Sequence, residues 1–392
     1  AAAASRGRRS MPELPEVERA RRLILAHCKD KTVTKVHVPS DVTGVVDSKL
    51  FKDCTETDFA NAARSKRLVD AHRKGKHGWL EFSDDVNDDD DGGNTHASSS
   101  SFVLFHLGMT GSFSVKGVKP PEFVEFTVDG SNWPPKFWKF VLEFNHGETC
   151  LAYTDPRRFG RVQLRTECPT KSLPVKALGF DPYLEQDIPK ETFEKMFRKR
   201  NAAIKSVLLD QSVAAGVGNW MADEMLYRAK IHPEVKASDL NEEALMNLRE
   251  AMFEVTNVAV ENNADSRRFP SDWLFHNRWG KNQNAKMANG EKISFCEVGG
   301  RTTAFVATRQ KKMMNTIADA KKRVTETKKT SSKNASTTTS KGKREEEPVT
   351  AKKVAKRAKK SSGGGGGGGS ATANRAARVT RNVIKSAYFL FR

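Results

Sequence analysis

Two neighbouring residues near the start of the chain have types suited to covalent chemistry. Pro12 and Glu13 open the stretch Met11-Pro12-Glu13-Leu14-Pro15-Glu16-Val17-Glu18. A proline that heads a chain carries a secondary amine. An α-amino group titrates near ~8, so an appreciable fraction is neutral at pH 7 without the desolvation a lysine requires. Such an amine is a nucleophile, and here it exists only once Met11 and the residues before it are removed. Glu13 suits proton transfer, although on local sequence alone it reads as an acid at the positive end of a helix. Thiol chemistry is a poor alternative. The five cysteines, Cys28, Cys54, Cys150, Cys168 and Cys296, are odd in number, far apart and without a C-x-x-C pair. That pattern fits free thiols in a reducing compartment and supplies no four-ligand zinc site, so no metal and no cofactor is expected.

The elements that hold these groups are legible in outline. Pro15 with Glu16 and Glu18 suits a helix start, and Val17, Ala20 and Ile24 follow at helical spacing. Strand-like runs come next, at Val33 to Val38, Trp79 to Phe82, Phe102 to Leu107, Glu122 to Val128, and Phe140 to Tyr153 with a turn at Asn145-His146-Gly147. They predict an antiparallel β-sandwich. The insert from Ser83 to Ser101 is Asp-, Ser- and Gly-rich and predicts a disordered loop. From Asp187 the period turns helical. Phe193, Met196 and Phe197 form one stripe and Ile204, Val207 and Leu208 another. A segment from Asn219 runs to His232-Pro233, and a longer helix follows Asn241 as its cap. Beyond Arg309 the chain is Lys-, Arg-, Ser- and Thr-rich with a heptaglycine at Gly363 to Gly369, a composition that builds no core. The fold class read here is α+β and multidomain. An N-terminal extension occupies 1–10, a β-sandwich domain with flanking helices 11–184, a helical domain 185–308 and a disordered basic tail 309–392.

A formal charge of +19 points to a polyanionic partner. Nucleic acid comes first and an anionic membrane surface second. No run of about 18 apolar residues occurs, so a membrane partner is not expected and the protein reads as soluble.

The stretch from Met11 to Arg22 resembles the N-terminus of formamidopyrimidine-DNA glycosylases. Further matches follow in that family's order: His106-Leu107-Gly108-Met109-Thr110-Gly111, Tyr153-Thr154-Asp155-Pro156-Arg157-Arg158-Phe159-Gly160, Gly216-Val217-Gly218-Asn219 and Arg301-Thr302-Thr303-Ala304-Phe305. They cover most of residues 11 to 308. The resemblance implies a bifunctional glycosylase and AP lyase of base excision repair. Its DNA partner carries oxidised purines or abasic sites, and the protein acts as a monomer through a Schiff base followed by β- and δ-elimination. It makes Pro12 the nucleophile, Glu13 the proton shuttle and Lys76 a catalytic lysine at the phosphate or damaged base, with Lys74 as a neighbouring register. Glu16 matches an acid near the pocket or serves as a cap. Met109, Arg157 and Phe159 match the residues that fill the gap left by an extruded base. Met109 and Phe159 taken alone would read as core. Asn219 would hold a phosphate at a helix start within a helix–two-turns–helix element, where exposed N–H groups favour an anion. The family's four-cysteine zinc finger is absent here. The segment from Lys292 to Val306 holds only Cys296 and looks like a zincless hairpin finger, kept together by cross-strand packing, with Arg301 at the DNA backbone.

Two rival readings stand beside this one. An endonuclease VIII-like enzyme for oxidised pyrimidines would use the same N-terminal chemistry. A non-catalytic DNA-binding protein would result if residues 1 to 10 were kept, since a proline inside a peptide bond has no amine. Basic clusters at Lys341 to Arg344 and Lys352 to Lys360 predict nuclear targeting, with a plastid or mitochondrial address as the alternative.

Overall fold

A computed structural model of the chain describes residues 11–39, 49–84, 100–119, 132–279 and 284–312. Residue alternation in the first half builds two four-stranded antiparallel sheets. One runs in the order β1-β6-β7-β5, from Val33–His37, Trp138–Phe144, Thr149–Thr154 and Ser112–Val115. The other runs β2-β3-β4-β8, from Lys66–Lys74, His77–Asp84, Ser101–His106 and Arg161–Arg165. Phe140, Leu142 and Phe144 of β6 face Leu80, Phe82, Val103 and Phe105 of the opposite sheet in one core. Val141, between them, joins a small outer cluster with Cys150 and Ala152. This is the period-2 pattern of a sandwich.

Helix α1 (Leu14–Cys28) lies against this core through Val17, Ala20, Ile24 and Cys28. Helix α2 (Glu56–Ala63) begins with a reciprocal cap. Thr55 Oγ1 accepts from the Asp58 N–H at 3.0 Å and the Asp58 carboxylate accepts from the Thr55 N–H at 2.8 Å. The second half is helical: α3 (Lys190–Arg198), α4 (Ile204–Leu209), α5 (Asn219–Arg228) and α6 (Glu242–Glu261). Its core gathers Phe193, Phe197, Trp220, Met221, Leu245 and Met252, and it includes Leu14 of α1. Helix α1 therefore belongs to both cores, with its first turn in the helical half and the rest on the sandwich. A hairpin of β9 (Ser294–Val298) and β10 (Arg301–Phe305) ends the described fold.

The predicted strands at Val33, Trp79, Phe102 and Phe140 to Tyr153 are present, as is the cap of α6, where Asn241 Oδ1 accepts from the Ala244 N–H at 2.9 Å. The segment from Asn219 stops being helical at Arg228 rather than continuing to His232. Four elements escaped the sequence reading, namely α2, β2, β5 and β8. Glu122 to Val128, residues 85–99 of the acidic insert, residues 1–10 and residues 313–392 lie outside the described residues. The tail boundary at 309 needs correction, because Gln310 is buried and donates to the Ile231 carbonyl at 2.9 Å. Arg309 also pairs with Glu291 at 2.7 Å. Among the described residues no helix is long and apolar enough to cross a membrane.

Candidate active site

Glu13 is the N-cap of α1, and its N–H donates to the Glu16 carboxylate at 2.9 Å. Its own carboxylate lies at the start of α5, accepting from the Trp220 N–H at 3.0 Å and the Met221 N–H at 3.1 Å. The approach is so close that a Cβ at Gly218 would fall 2.2 Å from Glu13 Cδ. Glycine is required there for space. The Trp220 and Met221 N–H groups at this helix start are thus taken by Glu13. A carboxylate with two backbone donors gains from the helix dipole, yet burial outweighs that gain. Burial pushes Glu13 up to about 7, nearby Glu16 adds to the rise, and Lys76 and the two N–H groups oppose it. Burial likewise raises Glu16, against the pull of Arg19.

Lys76 is buried in the tight turn between β2 and β3. Burial pulls its ammonium below the usual lysine range, Glu13 holds it up, and Arg301 pushes it further down. Lys76 thus feels the charges of both Glu13 and Arg301, residues far from it in sequence. Lys74, the alternative register, points elsewhere and pairs with Glu185 at 3.5 Å. The turn carrying Lys76 is held from below by buried Asp181, which accepts from the Gly75 N–H at 2.8 Å and from Arg73 at 2.6 Å, while Arg73 reaches Glu18 at 3.1 Å.

Pro12 is buried and lines a cavity of about 480 Å³ with Glu16, Arg19, Leu107, Gly111 and Asn263 among its walls. The sequence reading missed Arg19. Burial lowers its guanidinium to about 10, opposed by Glu16 and Asp265. It missed His106 as well. His77 and His106 sit opposite each other on β3 and β4 with ring centroids 5.0 Å apart. Burial, reinforced by Lys76, lowers His77 to about 4, and burial with the neighbouring cations lowers His106 well below its ordinary value. His106 Nδ1 accepts from the Gly108 N–H at 3.0 Å, which leaves the ring proton on Nε2.

Met109, Arg157 and Phe159 come from two loops that the structure brings together. Gly108 adopts φ +61°, and a Cβ on it would lie 2.4 Å from the Phe159 carbonyl carbon. Met109 is half-buried, whereas Arg157 and Phe159 are exposed, with the guanidinium 5.0 Å from the Phe159 ring. Fully buried Asp155 ties the loops from beneath. It accepts from Thr110 Oγ1 at 2.5 Å, the Arg157 N–H at 3.3 Å and the Gly160 N–H at 2.7 Å. Asn219, the first residue of α5, donates through Nδ2 to the Thr302 carbonyl at 3.1 Å. Arg301 is exposed at the head of β10, after the Gly299-Gly300 turn. Among the described residues no group of His, Cys, Asp or Glu side chains is arranged to hold a metal ion.

An antiparallel sandwich and a helical half that meet at a buried carboxylate, beside a proline-lined cavity and a cationic edge, define a mixed α/β protein with a helix–two-turns–helix element. The model of the formamidopyrimidine-DNA glycosylase N-terminal domain matches residues 11–162, and that of the formamidopyrimidine-DNA glycosylase H2TH domain matches residues 178–271. The chain belongs to the formamidopyrimidine-DNA glycosylase family. It is 39% identical over 302 residues to the Arabidopsis thaliana formamidopyrimidine-DNA glycosylase, covering 77% of this chain and 71% of that one. It is 31% identical over 267 residues to the Ligilactobacillus salivarius enzyme of the same name, covering 68% and 83%. A Lactococcus lactis FPG mutant solved in complex with Fapy-dG containing DNA superposes with TM-score 0.59 at 25% identity, covering 77% of this chain and all of that one.

Proposed function

We propose that this protein removes oxidised purines from duplex DNA and cleaves the strand at the resulting abasic site, with the Pro12 amine as nucleophile. The observation that carries this reading is the placement of Pro12 on a cavity wall beside buried Glu13, whose proton affinity lies near neutrality. The amine attacks C1′ as the base departs with the electrons of the glycosidic bond. Protonated Glu13 supplies a proton to the deoxyribose ring oxygen, the departing base takes up the proton of the attacking amine, the ring opens, and nitrogen and C1′ form an iminium. The iminium acidifies the C2′ proton, and its removal expels the 3′ phosphate and then, by a second elimination, the 5′ phosphate. A group near pKa 7 is suited to give and retake a proton in that sequence. Lys76 and Arg301 supply positive charge for a phosphate, while Met109, Arg157 and Phe159 fill the duplex where the base has left. The basic clusters beyond Lys312 serve nuclear import.

Borohydride reduction tests the reading. A form that begins at Pro12 is expected to become covalently fixed to DNA carrying an abasic site, and one that retains Ala1 to Met11 is not. Equal trapping by both would assign the nucleophile to a lysine and sink the proposal.

A further inference from the structure

The hairpin β9–β10 is only two strands wide, and an isolated two-stranded hairpin is marginal in water. Its outer edge is nevertheless occupied. The backbone groups of Thr302 and Ala304 point away from β9, and both meet a buried cluster of charges. Asp223, one turn along α5 from Asn219, is fully buried and accepts from the Ala304 N–H at 3.0 Å. Lys205 of α4, also fully buried, donates to Asp223 and to the Thr302 carbonyl at 3.4 Å. Arg278 donates to the other side of Asp223 through Nε at 3.1 Å and Nη2 at 2.6 Å, and to the Asn219 carbonyl at 3.3 Å. The Thr302 carbonyl thus accepts hydrogen bonds from both Lys205 and Asn219.

We propose that Asp223 is a positioning residue for DNA binding: with Lys205 and Arg278 it forms a buried latch that fixes the register of β10 against α5 and so aims Arg301 and Asn219 at the phosphate backbone. The inference rests on the reading of Arg301 and Asn219 as backbone contacts. It follows from strand geometry. Ala304 presents its N–H and Thr302 its carbonyl on the same edge, so a slip of one residue would turn both inward and carry Arg301 to the opposite face. Cross-strand pairing alone does not prevent that slip. The latch does, because a displaced Ala304 would leave a lone pair of a buried carboxylate without its donor and a displaced Thr302 would strip Lys205 of its carbonyl. The three side chains come from α4, α5 and the segment after α6, so the hairpin is clamped to three parts of the helical half at one point. Glu224, the next residue, secures that last segment by accepting from the Leu274 and Phe275 N–H groups at 3.3 and 2.8 Å.

The test uses the full chain processed to begin at Pro12, with two readouts. Hydrogen exchange of the Ala304 amide reports the latch itself, and a salt titration of binding to a duplex carrying an abasic-site analogue reports its consequence. In Asp223→Asn the Ala304 amide is expected to lose protection. Affinity should fall about tenfold or more, as when one charge-assisted hydrogen bond is removed. The log–log salt slope should shrink by about one. Combined with Arg301→Ala, the substitution is expected to add clearly less than its own effect, the remainder being the part carried through Asn219. A merely destabilising change would add its full effect and leave the slope alone, and either result overturns the proposal. An Ala304 amide as protected as in the wild type overturns it too. Wild-type binding by Arg301→Ala would instead defeat the reading of Arg301 as a phosphate contact, and the exchange readout still judges the latch. Should Asp223→Asn fail to fold, Lys205→Met, which leaves Asp223 paired with Arg278, is expected to weaken binding in the same non-additive way.

Discussion

The pocket around Pro12, Glu13 and Lys76 and the surface formed by Met109, Arg157 and Phe159 are built on opposite plans. In the pocket the functional groups are themselves buried. Among the described residues Glu13 accepts from backbone donors and forms no ion pair with Lys76, so burial shifts both groups toward neutrality. On the wedge surface Arg157 and Phe159 are exposed and Met109 is half-buried, and the buried carboxylate is Asp155 beneath them. Desolvation tunes proton affinity in the first region. In the second a saturated carboxylate sets loop geometry and leaves the tips free to enter a base stack. In the proposed function, one region serves chemistry and the other displaces DNA.

The sharpest way to break that division is to remove one function without the other. Glu13→Gln is expected to slow single-turnover base excision by about 10²–10⁴-fold. Binding to an abasic-site analogue should stay within a few-fold, because the amide oxygen can still accept from one of the two N–H groups at the start of α5. A comparable loss of binding would show that Glu13 serves mainly to hold the two halves together.

Phe159→Ala probes the other side. Stacking by one aromatic contributes roughly 1–3 kcal/mol, so excision of an oxidised purine from intact duplex is expected to fall about tenfold or more. Cleavage at a preformed abasic site should fall much less, since no base remains to be displaced. Equal losses on the two substrates would dissolve the distinction between wedge and pocket.

A smaller effect sharpens the comparison through pH. Burial lifts Glu13 from an ordinary 4.5 to about 7, so the folded protein holds a proton that the unfolded chain releases. That contribution to stability is complete below about 4.5 and is lost as pH rises toward about 7. The Tm of the wild type should therefore fall relative to that of Glu13→Gln across this window and run parallel to it above and below. Parallel curves throughout would mean that Glu13 is solvated. Smallest of all, deleting residues 313–392 should leave single-turnover cleavage unchanged. It should lower the salt slope of binding to undamaged duplex by about 0.9 for each phosphate that the tail neutralises. An identical slope would remove the tail from the DNA interface.

How much of this was legible depended on distance along the chain. The cap of α6 at Asn241, the start of α1 and the hairpin around Asn145-His146-Gly147 are local, and the sequence announces them. Strand β2 is equally local but was missed. Its residues Lys66 to Lys74 are mostly charged, and only Leu68, Ala71 and Arg73 are buried, the last in an ion-paired network that no alternation rule predicts. Helix α2 was missed although the Thr55 and Asp58 cap is written in the sequence, because eight residues carry too little periodicity to be weighed against the flanking loops. In the site, residue types pointed to Pro12, Glu13 and Lys76, and the fold gathers all three. The occupant of the α5 start was not legible, since Glu13 and Trp220 are 207 positions apart. The same holds for Asp223 with Arg278, which are brought together by packing alone.

That separation gives the protein an order of assembly. The N-terminal residues leave the ribosome first, yet the donors that receive the Glu13 carboxylate are in α5, 207 and 208 positions later. Until Met221 has been synthesised and has emerged, Glu13 remains in water as an ordinary ionised side chain without its two backbone donors. A growing chain is therefore expected to be harmless to DNA until α5 has emerged, whatever the state of its N-terminus. Ribosome-bound chains ending before Trp220 should give no borohydride adduct, and an adduct at that length would show that the first half of the fold suffices for the chemistry.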